Sequence, residues 1–230
     1  MYYYSMSAPE TSRKFLHAIG NLLILAGLGL LVMAYGPIIY DEAWYWLKVQ
    51  KNQEISLDLP QGVGVQDSAF ARLLSYKPIQ LNPVDENFGI VIEKIGVNAP
   101  VKPDVSVTDE DSYNEALKLG VAHAVTSDYP SEDAGNVYLF AHSAINFWDL
   151  GKYAKVFNLL RKLEVGDEVH VFYRGQDFTY QVVTTEVYKG WNTYPLTRTT
   201  IEPLLTLQTC DPPGTTLNRL VVTAKLVSVN

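Results

Sequence analysis

The chain has 230 residues, 47% of them hydrophobic and 19% charged, with a formal net charge of −7. Such a chain is too apolar to stay disordered and long enough for one globular domain plus an accessory segment. It has no Lys/Arg cluster to neutralise phosphates, which excludes nucleic acid as a partner, and its lone cysteine excludes an internal disulfide or a Cys-based zinc site.

The first predicted element is a membrane span. No formal charge falls between Lys14 and Asp41, and a crossing helix needs ~20 predominantly apolar residues. Arg13 and Lys14 precede the stretch, whereas Asp41 and Glu42 follow it. The positive-inside rule then predicts a cytoplasmic segment over residues 1–14, a transmembrane signal-anchor helix over 15–40, and everything after it outside. Tyr35, Tyr40, Trp44, Tyr45 and Trp46 supply an aromatic belt at the outer interface. A cleaved signal peptide ending near Val32-Met33-Ala34 is the alternative. The apolar stretch outruns the ~7–15 residues of a signal core and the aromatic anchors continue past the cut, so an uncleaved anchor is expected. Gly27 and Gly29 do not have the GxxxG spacing of a dimerising helix.

Residues 41–87 read as a juxtamembrane stalk. Residues 41–53 can prolong the helix; Pro60, Gly62, Gly64, Pro78 and Pro83 then interrupt regular structure, with a short helix over 69–74 between them. From Phe88 the pattern changes to short apolar runs separated by turn residues. Strands are predicted over 88–95 and 97–101, with Pro100 and Pro103 marking an edge or a bend. A helix follows over 109–119, capped by Thr108 with Asp111 completing a capping box, and ended by Gly120.

A strand over 136–141 leads to His142. A helix is predicted over 153–163, where Val156, Phe157, Leu160 and Leu163 share one face. Val165-Gly166-Asp167 is a turn, and strands over 168–173 and 178–187 form a hairpin across residues 174–177. Strands over 204–209 and 219–227 close the chain. Many short strands with few helices predict a mainly β domain, a closed barrel or a sandwich, without the parallel βαβ pattern.

Three residues stand out chemically. Cys210 ends a strand beside the polar loop Asp211-Pro212-Pro213-Gly214, where a side chain can face a cleft. A free thiol has a pKa of ~8.5 and needs a partner to become a nucleophile at neutral pH. Of the four histidines, His17 lies in the membrane segment and His170 inside an alternating strand, which leaves His123 and His142. His142, at a strand end, is the better base. If the last two strands pair antiparallel, Arg219 reaches the same rim as Cys210 and can bind a carbonyl or an oxyanion. Taken singly, each has a simpler reading: an inert thiol, a structural histidine, a rim cation paired with Asp211. Asp128, Glu132 and Asp133 lack the ligand spacing of a calcium site and read as a solvated loop, so no metal is expected.

Together, these residues resemble the sortases, cysteine transpeptidases of bacterial cell surfaces. Thr206-Leu207-Gln208-Thr209-Cys210 is similar to their TLxTC motif, Arg219 opens Arg219-Leu220-Val221-Val222 at the sortase spacing, and Phe140-Ala141-His142-Ser143 carries the histidine. The resemblance runs roughly from Phe88 to Val227, through Ile95-Gly96-Val97-Asn98-Ala99-Pro100-Val101, Gly120-Val121-Ala122-His123 and Gly135-Asn136-Val137-Tyr138-Leu139.

The resemblance implies an eight-stranded β-barrel catalytic domain over residues 88–230, with a few short helices. It implies Cys210 as nucleophile, His142 as acid/base and Arg219 as carbonyl or oxyanion binder, with no metal or organic cofactor. Thr209, Ser143 and His123, within the same motifs, are the substrate-binding candidates. The implied partners are secreted proteins with an LPxTG-like C-terminal sorting signal and an amine acceptor, a peptidoglycan precursor or a pilin lysine. The implied location is the bacterial cell membrane, crossed once.

Phe140-Ala141 departs from the Gly that many sortases place beside the histidine. A second membrane helix and an Asp-Pro-aromatic lid motif are not found, which is closest in layout to classes D and E. A membrane-anchored cysteine hydrolase and a catalytically silent binding domain are the rival readings.

Overall fold

The computed structural model describes residues 10–51, 53, 55–57, 79–143, 153 and 155–230. Its first element is a 41-residue helix, α1 (Glu10–Gln50), containing the apolar span Lys14–Gly36, none of which is buried inside the protein. The span is long and apolar enough to cross a membrane. As expected, the helix continues past Asp41. The short helix predicted over 69–74 lies outside the described residues.

Two three-residue strands, β1 (Ile55–Leu57) and β2 (Ile79–Leu81), pair in parallel. Leu57 and Leu81 pack against Val91 and Phe172, so this pair lies on the main domain. The main domain is a closed barrel of β3 (Phe88–Ile92), β4 (Val97–Val105), β5 (Val121–Ala124), β6 (Gly135–Phe140), β7 (Glu168–Tyr173), β8 (Gln176–Lys189), β9 (Pro203–Asp211) and β10 (Asn218–Val229). Around the barrel the order is β10-β8-β7-β3-β4-β5-β6-β9. The eight strands are those implied by the resemblance, and closure leaves no free edge.

Alternation decides what fills it. Leu205 and Leu207 of β9, Val222 and Ala224 of β10, and Leu139 of β6 are fully buried in one core cluster with Ile90 and Ile92. Residues one position away point to the other face of the sheet. That offset puts Tyr138 and Phe140, Gln208 and Cys210, and Arg219 together on the outer surface of neighbouring strands β6, β9 and β10.

The local expectations differ from the structure at five places. β3 stops at Ile92 and a 3-10 turn (Glu93–Ile95) follows, ended by Gly96 at φ 66°, a left-handed conformation that glycine adopts without strain. β4 is longer than predicted and lies inside the barrel rather than at an edge; Pro103 and Asp104 fall where its register with β5 shifts, so the missing N–H of Pro103 interrupts little of the ladder. A parallel crossover does occur. β4, the helix α2 (Glu110–Leu119) and the parallel strand β5 form one, and only four residues make the returning strand, too few to leave a periodic signal.

Helix α2 is not capped as expected. Thr108 Oγ1 lies 3.1 Å from Ser106 Oγ, and Asp109 takes the cap position without a side-chain cap bond. The helix predicted over 153–163 is a series of turns with one 3-10 turn (Leu160–Lys162). Its apolar residues are core residues all the same, since Phe157, Leu160 and Leu163 are buried. The spacing correctly marked a buried face but not the backbone that presents it.

Candidate active site

β9 and β10 run antiparallel, and Cys210 faces Arg219 directly in their register. Consequently one guanidinium nitrogen, Nη1, lies 3.5 Å from the Cys210 sulfur. The same nitrogen donates to the carbonyls of Thr216 (3.3 Å) and Asn218 (3.2 Å), which fix the head of the side chain over the sulfur. Asp211 is bound elsewhere, by Arg161 at 2.9 Å, so it leaves Arg219 free to face the cleft.

His142 arrives from the parallel strand β6. Four bonds lock its segment onto β9 and the loop that follows it: Ala141 N–H donates to the Gln208 carbonyl (3.1 Å) and Thr209 Oγ1 to the Ala141 carbonyl (2.9 Å). Ser143 Oγ donates to the Cys210 carbonyl (2.6 Å), and Gly214 N–H to the Ser143 carbonyl (2.7 Å). Backbone this tightly cross-linked holds His142 in one position relative to Cys210. The imidazole Nε2 is buried with no hydrogen-bond partner among the described residues.

His142, Cys210 and Arg219 line one cleft of about 950 Å³. Its floor is the outer face of β6 and β9, through Tyr138, Phe140 and Gln208; α2 supplies Tyr113, and the segment after β8 supplies Asn192 and Leu196. Tyr113 stacks on Phe140 (centroids 5.2 Å apart) and meets the His142 ring edge-on at 5.5 Å. The Tyr138 hydroxyl donates to Gln208 Oε1.

Burial sets the charge state. It pushes the Cys210 thiol above its ordinary value, and Arg219 draws back only part of that shift. It pulls His142 below 6.5. At rest, then, the pair is thiol and neutral imidazole. Burial, reinforced by the Cys210 charge and opposed by Arg219, pushes the Tyr113 phenol up to about 12, so it remains a hydrogen-bond donor.

Cys210, His142 and Arg219 are therefore brought together, and Ser143 lines the same cleft. Thr209 and His123 do not reach it. Thr209 is one residue from Cys210 and so points to the opposite face, into the Ala141 bond. His123 is fully buried; its register partner is core residue Leu139, and its Nε2 lies 3.0 Å from both Ser127 Oγ and the Asp128 carbonyl. Gln208, two residues before Cys210, was accessible to an alternation argument. Tyr113 and Tyr138 were not, because nothing local links a helix or a distant strand to Cys210. Asp128 accepts the Asn136 N–H at 2.8 Å, a structural bond within its loop. Among the described residues, no three His, Cys, Asp or Glu side chains are grouped to hold a metal.

Known proteins share this domain and its fold. Residues 90–227 match the model of the sortase domain. Sortase D of Bacillus subtilis strain 168 is 27% identical over 214 residues, 90% of this chain and 97% of that protein. The crystal structure of sortase C-1 from Actinomyces oris superposes with a TM-score of 0.53 at 25% identity, over 84% of this chain and 99% of that one. A Clostridium perfringens sortase C, solved with the C-terminal cell wall sorting motif, has the same fold (TM-score 0.51, 23% identity, 61% and 69% covered).

Proposed function

This chain belongs to the sortase family of transpeptidases, and we propose that its reaction runs through Cys210, His142 and Arg219 on an LPxTG-like sorting signal. The observation that carries this reading is the placement of the only sulfur nucleophile 3.5 Å from a guanidinium, in the cleft that His142 also lines.

The chemistry follows from those positions. His142 takes the thiol proton, and the thiolate attacks the carbonyl carbon of the scissile peptide bond. Negative charge collects on the carbonyl oxygen, where the fixed Arg219 guanidinium stabilises it. Collapse breaks the C–N bond; His142 returns its proton to the amine of the departing fragment, and the acyl-side fragment of the substrate remains as a thioester on Cys210. An acceptor amine then attacks the thioester carbon, gives its proton to His142 and expels the thiolate. The acceptor is a cell-wall precursor or a pilin lysine, and the steps need no cofactor. Ser143 and Thr209 act in this scheme by holding the His142 segment against β9.

Residues 15–40 anchor the enzyme in the bacterial cell membrane, residues 1–14 remain in the cytoplasm, 41–87 connect, and 88–230 form the catalytic domain outside. Arg13 and Lys14 before the span and Asp41 and Glu42 after it support that orientation.

The test is mass spectrometry of the protein after incubation with an LPxTG-like peptide, with and without an added amine. The wild-type chain is expected to carry an acyl adduct on Cys210 and to release an amine-ligated product. Cys210→Ala is expected to do neither while keeping its fold. Cleavage by Cys210→Ala would overturn the assignment, and hydrolysed product alone in the presence of amine would make the protein a peptidase.

A further inference from the structure

The second half of α1 is clamped to the barrel. Ala34, Ile38, Asp41, Tyr45 and Lys48 recur at helical spacing, and all are half-buried. Asp41 accepts from Lys155 (2.7 Å) and from Asn158 (3.2 Å), and Glu42 pairs with Lys162 at 2.7 Å. Lys48 donates to the carbonyls of Glu93 (3.0 Å) and Lys94 (2.9 Å). Trp44 packs on Gly96, where a Cβ would fall 3.1 Å from its ring. Contacts this numerous make the helix and the barrel one body through Lys48.

The stripe starts inside the apolar span. Ala34 belongs to the segment Lys14–Gly36, yet it lines the cleft that holds Cys210. Ala34 is two residues, ~3 Å of helix rise, from the end of the span at Gly36, so the cleft begins where the span ends. A second feature lies on the same rim. Trp191, Tyr194 and Leu217 are 82%, 57% and 67% exposed. They alternate in sequence with cleft-lining Gly190, Asn192, Thr193 and Thr216, and Gly190 N–H ties the two loops together at the Leu217 carbonyl (3.0 Å). Exposed Trp and Tyr beside the end of a membrane span match the chemistry of the headgroup boundary, where an apolar ring and a polar atom are both satisfied.

We infer that the Cys210 cleft is held mouth-first against the outer leaflet, with the clamped half of α1 setting its height and Trp191, Tyr194 and Leu217 forming a lip in contact with the bilayer. The lip is apolar rather than basic, so the contact is with the headgroup–acyl boundary of any bilayer and does not need anionic lipid. The inference rests on α1 being a membrane anchor and is independent of the roles given to Cys210, His142 and Arg219.

The test uses the full chain with Cys210→Ala, which leaves no native cysteine, reconstituted in phosphatidylcholine nanodiscs. Single cysteines carrying an environment-sensitive fluorophore replace Leu25 in the span, Trp191 or Leu217 on the lip, and Gln176 in the β7–β8 hairpin at the other end of the barrel. A spin-labelled lipid with its quencher near the headgroups is expected to quench the Trp191 and Leu217 labels and to leave the Gln176 label bright. A lipid with its quencher deep in the acyl chains is expected to quench Leu25. Lip labels as bright as Gln176, with Leu25 quenched, would overturn the docking while sparing the anchor. An unquenched Leu25 label would overturn the anchor and the docking together.

Discussion

Arg219 stands directly across the β9–β10 ladder from Cys210, with its Nη1 3.5 Å from the sulfur and held there by two backbone carbonyls. The guanidinium is thus placed before any substrate arrives, which is the condition under which a donor stabilises developing charge most effectively. Arg219→Ala is expected to lower kcat by ~10²–10³ with little change in KM. Arg219→Lys should recover only part of the loss, because an ammonium on a flexible stem lacks the planar fork that keeps further N–H groups aimed at a developing oxyanion. Steady-state kinetics on a sorting-signal peptide will check both, and unchanged kcat in the Ala variant would remove Arg219 from the mechanism.

The pH dependence follows from two opposite shifts. Burial moves the His142 pKa below 6.5 and the Cys210 pKa above 9.0. The reactive thiolate–imidazolium pair is therefore a minor species whose fraction stays constant between the two values. It falls at acid pH as the thiolate is lost, and at alkaline pH as the imidazolium is lost. The kcat/KM profile should be a plateau with an acid limb below 6.5 and an alkaline limb above 9.0. Arg219→Ala, by removing the one cation that draws the thiol pKa down, should move the alkaline limb higher.

Tyr113 separates ring from hydroxyl. Its ring supports Phe140 and His142, and its phenol lies within electrostatic reach of Cys210 and Arg219. Tyr113→Phe keeps the packing and is expected to lower kcat/KM by roughly 3- to 10-fold, the scale of one hydrogen bond, with an unchanged melting temperature. Tyr113→Ala also exposes His142 to water and should move the acid limb up toward 6.5. An unmoved acid limb would show that the ring does not control the burial of His142.

Away from the cleft, His170 Nδ1 lies 3.0 Å from the Asp177 carboxylate, and both are buried. Burial alone would lower the His170 pKa, but the bond to Asp177 and its charge outweigh it, and the net shift is upward. A group whose folded pKa is raised contributes stability that is complete below its unfolded value of 6.5 and is lost as pH rises through the folded value. Chemical denaturation should thus show stability declining above pH 6.5, and His170→Asn should flatten that decline. Below pH 6.5 the substitution is expected to cost ~1–3 kcal/mol by leaving Asp177 without its charged partner.

The sequence by itself determined the features that depend on near neighbours in the chain. An uncharged stretch identified a helix long and apolar enough to cross a membrane, alternating apolar residues identified most strands, and the loop after Cys210 implied that Arg219 would return to the same rim. Cys210, His142 and Arg219 each end or begin a strand, where strand ends converge at the rim of a barrel, and the resemblance to the sortases joined them as a set. Only the tertiary structure decided which residues share a face with them. Alternation beside Cys210 already turns Thr209 away from the cleft; the pairing of β5 with β6 puts His123 in the core, that of β6 with β9 brings Tyr138 to the cleft, and the packing of α2 on the barrel adds Tyr113. The same non-local packing pulls residues 41–48 of the expected stalk onto the barrel through Trp44 and Lys48. A strand's period of two says that faces alternate; which one meets solvent, core or membrane is settled when the barrel closes.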